Sequence, residues 1–199
     1  MRFRWVGLVL VLVAGLVAGH AAATNVDSLQ VSEVSYPRSI DLAGQSLRLN
    51  GAGTRYKAIF QVYAAGLYLR SKAASTEEVL RLDGAKRISL TMLREIDAEE
   101  MGLLFIKGIK ANTPNEDYGA IVGSVLRMSQ VFSSYKRLKR GDTVTIDWLP
   151  GQGAVIRVRG EQAGDPFVEP AFYAAMLRIW LGQDPADDRL KQALLGLAD

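Results

Sequence analysis

The sequence predicts an α+β domain built around an antiparallel sheet. Patterns typical of strands and of helices come in blocks along the chain, in the order strands, helices, strands, helices. This order differs from the regular β-α-β alternation that indicates a parallel sheet. Two alternating runs, residues 143–148 and 154–158, also flank Pro150-Gly151-Gln152-Gly153, a sequence typical of a hairpin turn. Together these patterns favour antiparallel strands with helices packed against them.

Four earlier segments have the composition of strands: residues 26–34, 45–50, 55–69 and 87–93. Pro37 should terminate the first, because proline cannot donate a hydrogen bond to a neighbouring strand. Gly51 and Gly53 follow the second segment and permit a turn or a bulge. The third segment contains no proline, so we expect one long strand or two strands that meet at Gly66.

Five segments place apolar residues at helical spacing: residues 75–82, 97–112, 118–132, 171–181 and 187–195. Ser75 and Asp97 each precede a glutamate by three positions, which is the capping-box pattern at the start of a helix. Asn112 stands just before Thr113-Pro114, where asparagine is typical of a helix C-cap.

The N-terminus has the pattern of a secretory signal peptide. Arg2 and Arg4 precede an apolar run at residues 5–17, and small residues follow up to Ala23. This order predicts a signal peptide at residues 1–23 and a mature domain at residues 24–199. The alternative is a permanent membrane anchor, but the run is shorter than the about 20 apolar residues of a spanning helix. We therefore expect a periplasmic or secreted protein without a stable membrane anchor.

The residue types exclude several classes of active site. The chain contains no cysteine, and its one histidine, His20, lies in the segment expected to be removed. Ser-His-Asp catalysis, Cys-His catalysis and metal sites built on cysteine or histidine therefore have no suitable side chains. Loss of Arg2 and Arg4 leaves 22 basic against 21 acidic side chains, a balance that does not indicate nucleic-acid binding. We expect no metal and no cofactor.

Three segments of the mature chain carry a resemblance to a known family. They are Leu49-Asn50-Gly51-Ala52-Gly53-Thr54-Arg55, Val62-Tyr63-Ala64-Ala65-Gly66-Leu67-Tyr68-Leu69 and Ile179-Trp180-Leu181-Gly182. From about residue 36 to 196, the chain resembles the chalcone isomerase-like family, and most closely its bacterial exported branch. The resemblance implies an open-faced β-sandwich, in which a long antiparallel sheet and a helical layer enclose an apolar cleft. The family includes isomerases that close chalcones to flavanones, fatty-acid-binding proteins, and members with no demonstrated chemistry.

The resemblance also implies three candidate ligand-binding residues. Arg55 matches the arginine that holds the substrate's phenolate or a fatty acid's carboxylate. Tyr63 stands where the isomerases have a threonine, as in the fatty-acid-binding branch. Asn112 is the candidate for the asparagine that the isomerases carry on a central helix.

With Asn112 in that role, the isomerases' helical tyrosine and lysine fall on Phe105 and Gly108. The threonine or serine and the methionine of their C-terminal motif fall on Ile179 and Trp180. Most polar positions of the isomerase site are therefore apolar or exchanged in this sequence. This comparison argues against flavanone formation.

Arg55 and Tyr63 are the pair on which a binding function depends. Tyr63 follows Arg55 by eight positions, an even number, so both side chains would leave one face of a single strand. A guanidinium and a phenol hydroxyl in an apolar cleft bind a carboxylate well. The structural alternative is an Arg55 salt bridge to a neighbouring carboxylate, with Tyr63 packed in the sheet. For Asn112, the C-cap interpretation is preferred to a ligand contact.

A short basic run lies between a predicted helix and a predicted strand: Lys136, Arg137, Lys139 and Arg140. Contact with anionic lipid headgroups or a lipopolysaccharide phosphate is one interpretation, and a solvated surface loop is the favoured one. Trp148 and Trp180 are expected to be core aromatics, each with a partner for its indole N–H.

Three functions remain open. The leading hypothesis is an exported, non-catalytic protein that binds a small apolar acid such as a fatty acid. The second is an intramolecular isomerase or cyclase for an unidentified phenolic or enone substrate, with Arg55 stabilising charge and Tyr63 transferring a proton. The third is a structural or accessory role in the cell envelope, through a protein partner that the sequence does not identify.

Overall fold

The computed structural model describes residues 27–198, so the expected signal peptide lies outside the described residues. The strands are β1 (Ser28–Val31), β2 (Val34–Pro37), β3 (Ser39–Leu42), β4 (Gln45–Lys57), β5 (Phe60–Leu69), β6 (Lys86–Met92), β7 (Ile96–Asp97), β8 (Arg137–Leu138), β9 (Thr143–Leu149), β10 (Gly153–Val158) and β11 (Glu161–Gln162). The helices are α1 (Thr76–Arg81), α2 (Ala98–Ala111), α3 (Asn115–Ser133), α4 (Pro170–Leu181) and α5 (Asp188–Leu194).

A seven-stranded antiparallel sheet forms the centre of the fold, in the order β11-β10-β9-β6-β5-β4-β3. The hairpin expected around Pro150 is present, because β9 and β10 pair across it. The α+β class and the open-faced architecture, a long antiparallel sheet under a helical layer, are confirmed.

The segment 55–69 contains two strands, but they do not meet at Gly66. The turn lies at Ala58 and Ile59, where Lys57 pairs with Phe60 and Ala58 has a positive φ of 55°. Gly66 lies in the middle of β5. A Cβ at Gly66 would lie 2.6 Å from the Tyr36 ring, so glycine is needed there for Tyr36 to pack on the sheet.

The glycines after Asn50 form a bulge and not a turn. β4 continues through them, and its register against β5 shifts between Leu49 and Gly51. The carboxamide of Asn50 donates to the carbonyl oxygens of Ala73 and Leu194 at 2.9 and 2.8 Å, and accepts from the Ala73 N–H at 2.9 Å. Through the Asn50 side chain, the bulged segment of β4 is therefore hydrogen-bonded to the end of α5.

The two faces of the sheet bury different cores. The N-terminal segment was expected to form one strand, but β1 and β2 form a hairpin, and Tyr36 of β2 packs on one face with Leu47 and Leu49. The other face carries the larger core, covered by α2, α3 and α4.

Capping and aromatic packing fix the helical layer. Asp97 caps α2 by accepting the Glu100 N–H at 3.0 Å, and Ser75 caps α1 in the same way, so both predicted helix starts are confirmed. The Phe105 ring makes edge contacts with the Phe132 and Trp180 rings, at centroid distances of 5.2 and 5.3 Å. No helix within residues 27–198 is long and apolar enough to cross a membrane.

Candidate ligand-binding site

A cavity of about 220 Å³ lies between the β4–β5 hairpin, α2 and the loop that follows α4. Its inner wall is apolar and is formed by Val62, Met101, Leu104, Phe105, Ile179 and Ala186. Met101, Leu104 and Phe105 belong to the apolar stripe of α2. One edge of that stripe therefore faces the cavity.

Arg55 and Tyr63 meet at this cavity. They lie on different strands, so the expectation of one strand is wrong, but they are direct partners across β4 and β5 and leave the same face. The Arg55 guanidinium carbon lies 5.5 Å from the centroid of the Tyr63 ring. This cation–π contact holds the charged group beside the phenol.

The Tyr63 hydroxyl is hydrogen-bonded to Trp180. The indole Nε1–H of Trp180 donates to it at 2.8 Å, and both side chains are almost fully buried. Trp180 is therefore a core aromatic, as expected, and Tyr63 is the partner of its N–H. Since the Tyr63 oxygen accepts this bond, its own proton remains available to an acceptor in the cavity.

The protonation state of Tyr63 follows from its surroundings. Burial raises the pKa of Tyr63, while the Arg55 charge and the Trp180 hydrogen bond act in the opposite direction more weakly. With its pKa above the ordinary value of about 10, the phenol is neutral at physiological pH. Tyr63 is then a hydrogen-bond donor and a poor proton acceptor.

Arg55 is half-buried and has no acidic partner in the described part of the chain, where no carboxylate oxygen lies within 4.0 Å of its guanidinium. Its Nε makes only a long contact, 3.5 Å, with the carbonyl oxygen of Ala186. The salt bridge proposed as a structural alternative is thus not formed among residues 27–198. Most donors of the guanidinium are left for a ligand.

Further charges surround the mouth of the cavity. The residues that line the cavity include the cations Lys57, Arg94 and Lys107 and the carboxylates Glu100 and Asp184, and Lys57 lies 3.8 Å from the Glu100 carboxylate. With Arg55 included, cations exceed carboxylates by two, which favours entry of an anion. Among residues 27–198, no cluster of three or more acidic, histidine or cysteine side chains is arranged to hold a metal ion.

Asn112 does not line the cavity. It is the C-cap of α2, with φ −114°, which is outside the left-handed region. Its amide donates to the carbonyl oxygens of Gly108 and Asp184 at 2.9 and 2.7 Å, and its oxygen accepts the Asp184 N–H at 2.9 Å. These bonds connect α2 to residues 184–186, which do form part of the wall.

The other positions that the sequence comparison matched to isomerase site residues form part of the apolar wall of the cavity or lie behind it. Phe105, Gly108 and Ile179 line the cavity, and Trp180 lies behind Tyr63. Sequence reasoning did not find Lys57, Arg94 or Lys107 as site residues. Each is a cationic surface residue that belongs to no recognisable sequence motif. The packing of α2 beside the β4–β5 hairpin is what brings them together at the mouth of the cavity.

Comparison with known proteins agrees with the fold. A family model described as chalcone isomerase-like matches residues 28–196. The fold is similar to the crystal structure of a fatty-acid binding protein from Arabidopsis thaliana, with a TM-score of 0.64 and 18% sequence identity, over 82% of this chain and 92% of that chain. At this identity the likeness shows a shared fold. A search among curated proteins gave no match.

Proposed function

The chain belongs to the chalcone isomerase-like family, and from that membership we propose that it binds a small, largely apolar acid without transforming it. The proposal assigns the acid group to Arg55 and Tyr63 and the apolar part of the ligand to the wall formed by α2 and α4. The Arabidopsis protein of the same fold is a fatty-acid binding protein, which agrees with this ligand class.

The observation that carries the proposal is an unpaired guanidinium beside an unused phenol proton at an apolar cavity. A carboxylate placed between them would accept charge-assisted bonds from Arg55 and a neutral bond from Tyr63. Such bonds strengthen where water is excluded, and the inner wall is apolar. Within residues 27–198 no protein carboxylate oxygen lies within 4.0 Å of the Arg55 guanidinium, which leaves its donors to the ligand.

The cavity volume restricts the size of the ligand. At about 220 Å³ it lies below the range of roughly 300–1,000 Å³ that is usual for sites of drug-sized molecules. We expect a medium-chain acid to fit wholly inside, whereas the tail of a long-chain acid would extend through the mouth.

Binding without turnover is supported by the chemistry of the wall. A cyclase or isomerase needs a group that moves a proton at neutral pH. Burial raises the pKa of Tyr63, so at neutral pH the phenol keeps its proton and no phenolate is present to act as a base. Under the family resemblance, with Asn112 as the counterpart of the isomerases' asparagine, their helical tyrosine and lysine fall on Phe105 and Gly108, which cannot transfer protons.

We further propose that the protein belongs to the exported bacterial branch and acts in the periplasm or outside the cell, after removal of residues 1–23. This proposal is supported by the N-terminal sequence, in which Arg2 and Arg4 are followed by an apolar run and then by small residues. Mass measurement of the protein from fractionated cells tests this. A mature chain beginning near residue 24 is expected, and an uncleaved chain in the cytoplasm would contradict it.

Extraction of the ligand tests the binding proposal. Protein purified without detergent is denatured, and the released small molecules are identified by mass spectrometry. We expect an apolar acid in about equal amount to the wild-type protein and far less in Arg55→Ala. Wild-type protein that carries no acid and takes up none of the added octanoate, decanoate or palmitate would overturn the proposal.

A further inference from the structure

The tip of the β4–β5 hairpin, residues 56–60, exposes apolar side chains at the mouth of the cavity. Ile59 is 83% exposed, Phe60 60% and Tyr56 40%. The last hydrogen bond from outside the hairpin reaches β5 at the carbonyl of Val62, from the Leu93 N–H. Beyond that point β5 pairs only with β4, so the turn at Ala58 and Ile59 projects past the neighbouring strands. The base of the tip is held from outside the hairpin, because the Tyr56 N–H donates to the Asp187 carboxylate at 2.9 Å.

The hairpin tip and the cavity share one mouth. Lys57 of the tip lines the cavity and lies 3.8 Å from Glu100 of α2. On α2, Leu103 is 57% exposed and lies one turn after Glu100 and one turn before Lys107, which also lines the cavity. Exposed apolar side chains therefore occur on both elements that border the entrance.

The strand directions bring the basic run to the same end of the sheet. In this antiparallel sheet, the end of β4, the start of β5, the end of β6 and the start of β9 lie together. The run at residues 136–140 immediately precedes β9, and β8 within it pairs with β7, next to the start of α2. The hairpin tip therefore projects from the end of the sheet where the basic run lies.

Within residues 27–198, several cations at this end of the sheet have no ion-pair partner. Arg137 pairs with Glu95, and Arg140 pairs with Glu33. For the described residues, in contrast, no ion pair is formed by Arg94, Lys107, Lys136 or Lys139, all of which are exposed. An apolar projection backed by free cations is complementary to an anionic bilayer, which offers hydrocarbon below a layer of phosphate.

We propose that the hairpin tip docks on the surface of an anionic phospholipid bilayer. Ile59 and Phe60 enter the headgroup region, and the unpaired cations contact the phosphates. The mouth of the cavity then faces the lipid, so an apolar acid passes between bilayer and cavity without crossing water. This last step rests on the proposed function, whereas docking depends only on the surface.

Vesicle sedimentation with the full chain tests the docking. Two vesicle compositions are used: phosphatidylcholine alone, and phosphatidylcholine mixed with phosphatidylglycerol. Wild-type protein should bind the mixed vesicles at least about tenfold more strongly than the neutral ones. The double variant Ile59→Glu with Phe60→Glu should lose at least about tenfold of that binding, because two exposed apolar side chains become acidic.

A matched control is available at the opposite end of the sheet. Val168 is 69% exposed and follows Phe167, which pairs with Ala154 near the start of β10. Val168→Glu removes an exposed apolar side chain without touching the hairpin tip, and should bind vesicles as the wild type does. Each variant has the same N-terminal segment, so any contribution of that segment cancels in the comparison.

The outcomes separate docking from ligand binding. Decanoate affinity is measured without vesicles, and the hairpin-tip variant should match the wild type because Ile59 and Phe60 do not line the cavity. Equal vesicle binding by wild type and hairpin-tip variant, or an equal loss in Val168→Glu, would overturn the docking. Loss of vesicle binding in the hairpin-tip variant, together with no decanoate binding by any protein, would support docking and overturn the proposed ligand.

Discussion

Arg55 and Tyr63 face each other across β4 and β5, with the guanidinium carbon 5.5 Å from the centroid of the phenol ring. Directly opposed residues of neighbouring strands have Cβ atoms about 5 Å apart, so one carboxylate can contact both side chains. Eight positions along a single strand would separate them by roughly 26 Å, too far for a shared ligand. The turn at Ala58 and Ile59 therefore brings this pair within reach of a single ligand group.

Tyr63→Phe should reduce both affinity and stability. The variant lacks the phenol hydroxyl that would donate a hydrogen bond to the bound carboxylate, so we expect decanoate affinity to fall roughly tenfold. The buried Trp180 Nε1–H loses its acceptor, which should lower the free energy of unfolding by about 1–3 kcal/mol. Urea denaturation of Tyr63→Phe, Trp180→Phe and the double variant checks this. The double variant should lose less unfolding free energy than the sum of the losses in the two single variants. Strict additivity would show that the hydrogen bond contributes nothing.

Asn112→Ala separates positioning from ligand contact. The change removes three hydrogen bonds to Gly108 and Asp184, so the free energy of unfolding should fall by about 1–3 kcal/mol. Because the side chain does not line the cavity, affinities for decanoate and for decanol should weaken by the same factor. Calorimetry with both ligands measures this. A loss confined to decanoate would mean that Asn112 contacts the carboxylate.

Leu104 should control the length of the ligand. This half-buried residue belongs to the cavity wall on α2. Leu104→Trp fills the space and should weaken decanoate binding more than octanoate binding, whereas Leu104→Ala should shift the preference towards longer acids. Competition experiments with octanoate, decanoate and palmitate measure the order of their affinities for each variant. An unchanged order in both variants would place the acyl chain elsewhere.

Stability should fall in alkaline solution. Burial raises the pKa of Tyr36, Tyr63, Tyr68 and Tyr173, in the case of Tyr68 to about 12. A tyrosine with a raised pKa holds its proton more tightly in the folded chain. Its contribution is therefore complete below about pH 10 and is lost as the pH rises from there towards the folded-state pKa. The urea midpoint of unfolding should decrease as the pH is raised across this range, while tyrosinate absorbance follows the loss of the phenol protons. A midpoint that stays constant would contradict the burial of these phenols.

Patterns of short range were sufficient to predict most of the fold. The capping boxes at Ser75 and Asp97 and the hairpin around Pro150 depend on residues close in sequence, and all three are present. The position of the β4–β5 turn was not predictable in this way. Ala58 and Ile59 lack the Gly or Asn that usually identifies a tight turn, and Gly66 serves the packing of Tyr36 instead.

The candidate site was predictable only in part. The resemblance to the family drew attention to Arg55 and Tyr63, which the structure places together. The Tyr63–Trp180 bond joins residues 117 positions apart, and no local pattern indicates it. The same holds for Lys107 and the other cations at the mouth, whose proximity follows from the packing of α2 beside the hairpin.

Calorimetric titration of wild type and Arg55→Ala with decanoate and with decanol tests the central claim most directly. The two ligands have the same carbon chain, so their difference isolates the acid group. Wild type should prefer decanoate by about tenfold or more, and Arg55→Ala should lose this preference while it still binds decanol. Since Arg55 has no ion pair within residues 27–198, the variant should also remain folded. A variant that keeps the full preference for decanoate, or a wild type that binds neither ligand, would contradict the account.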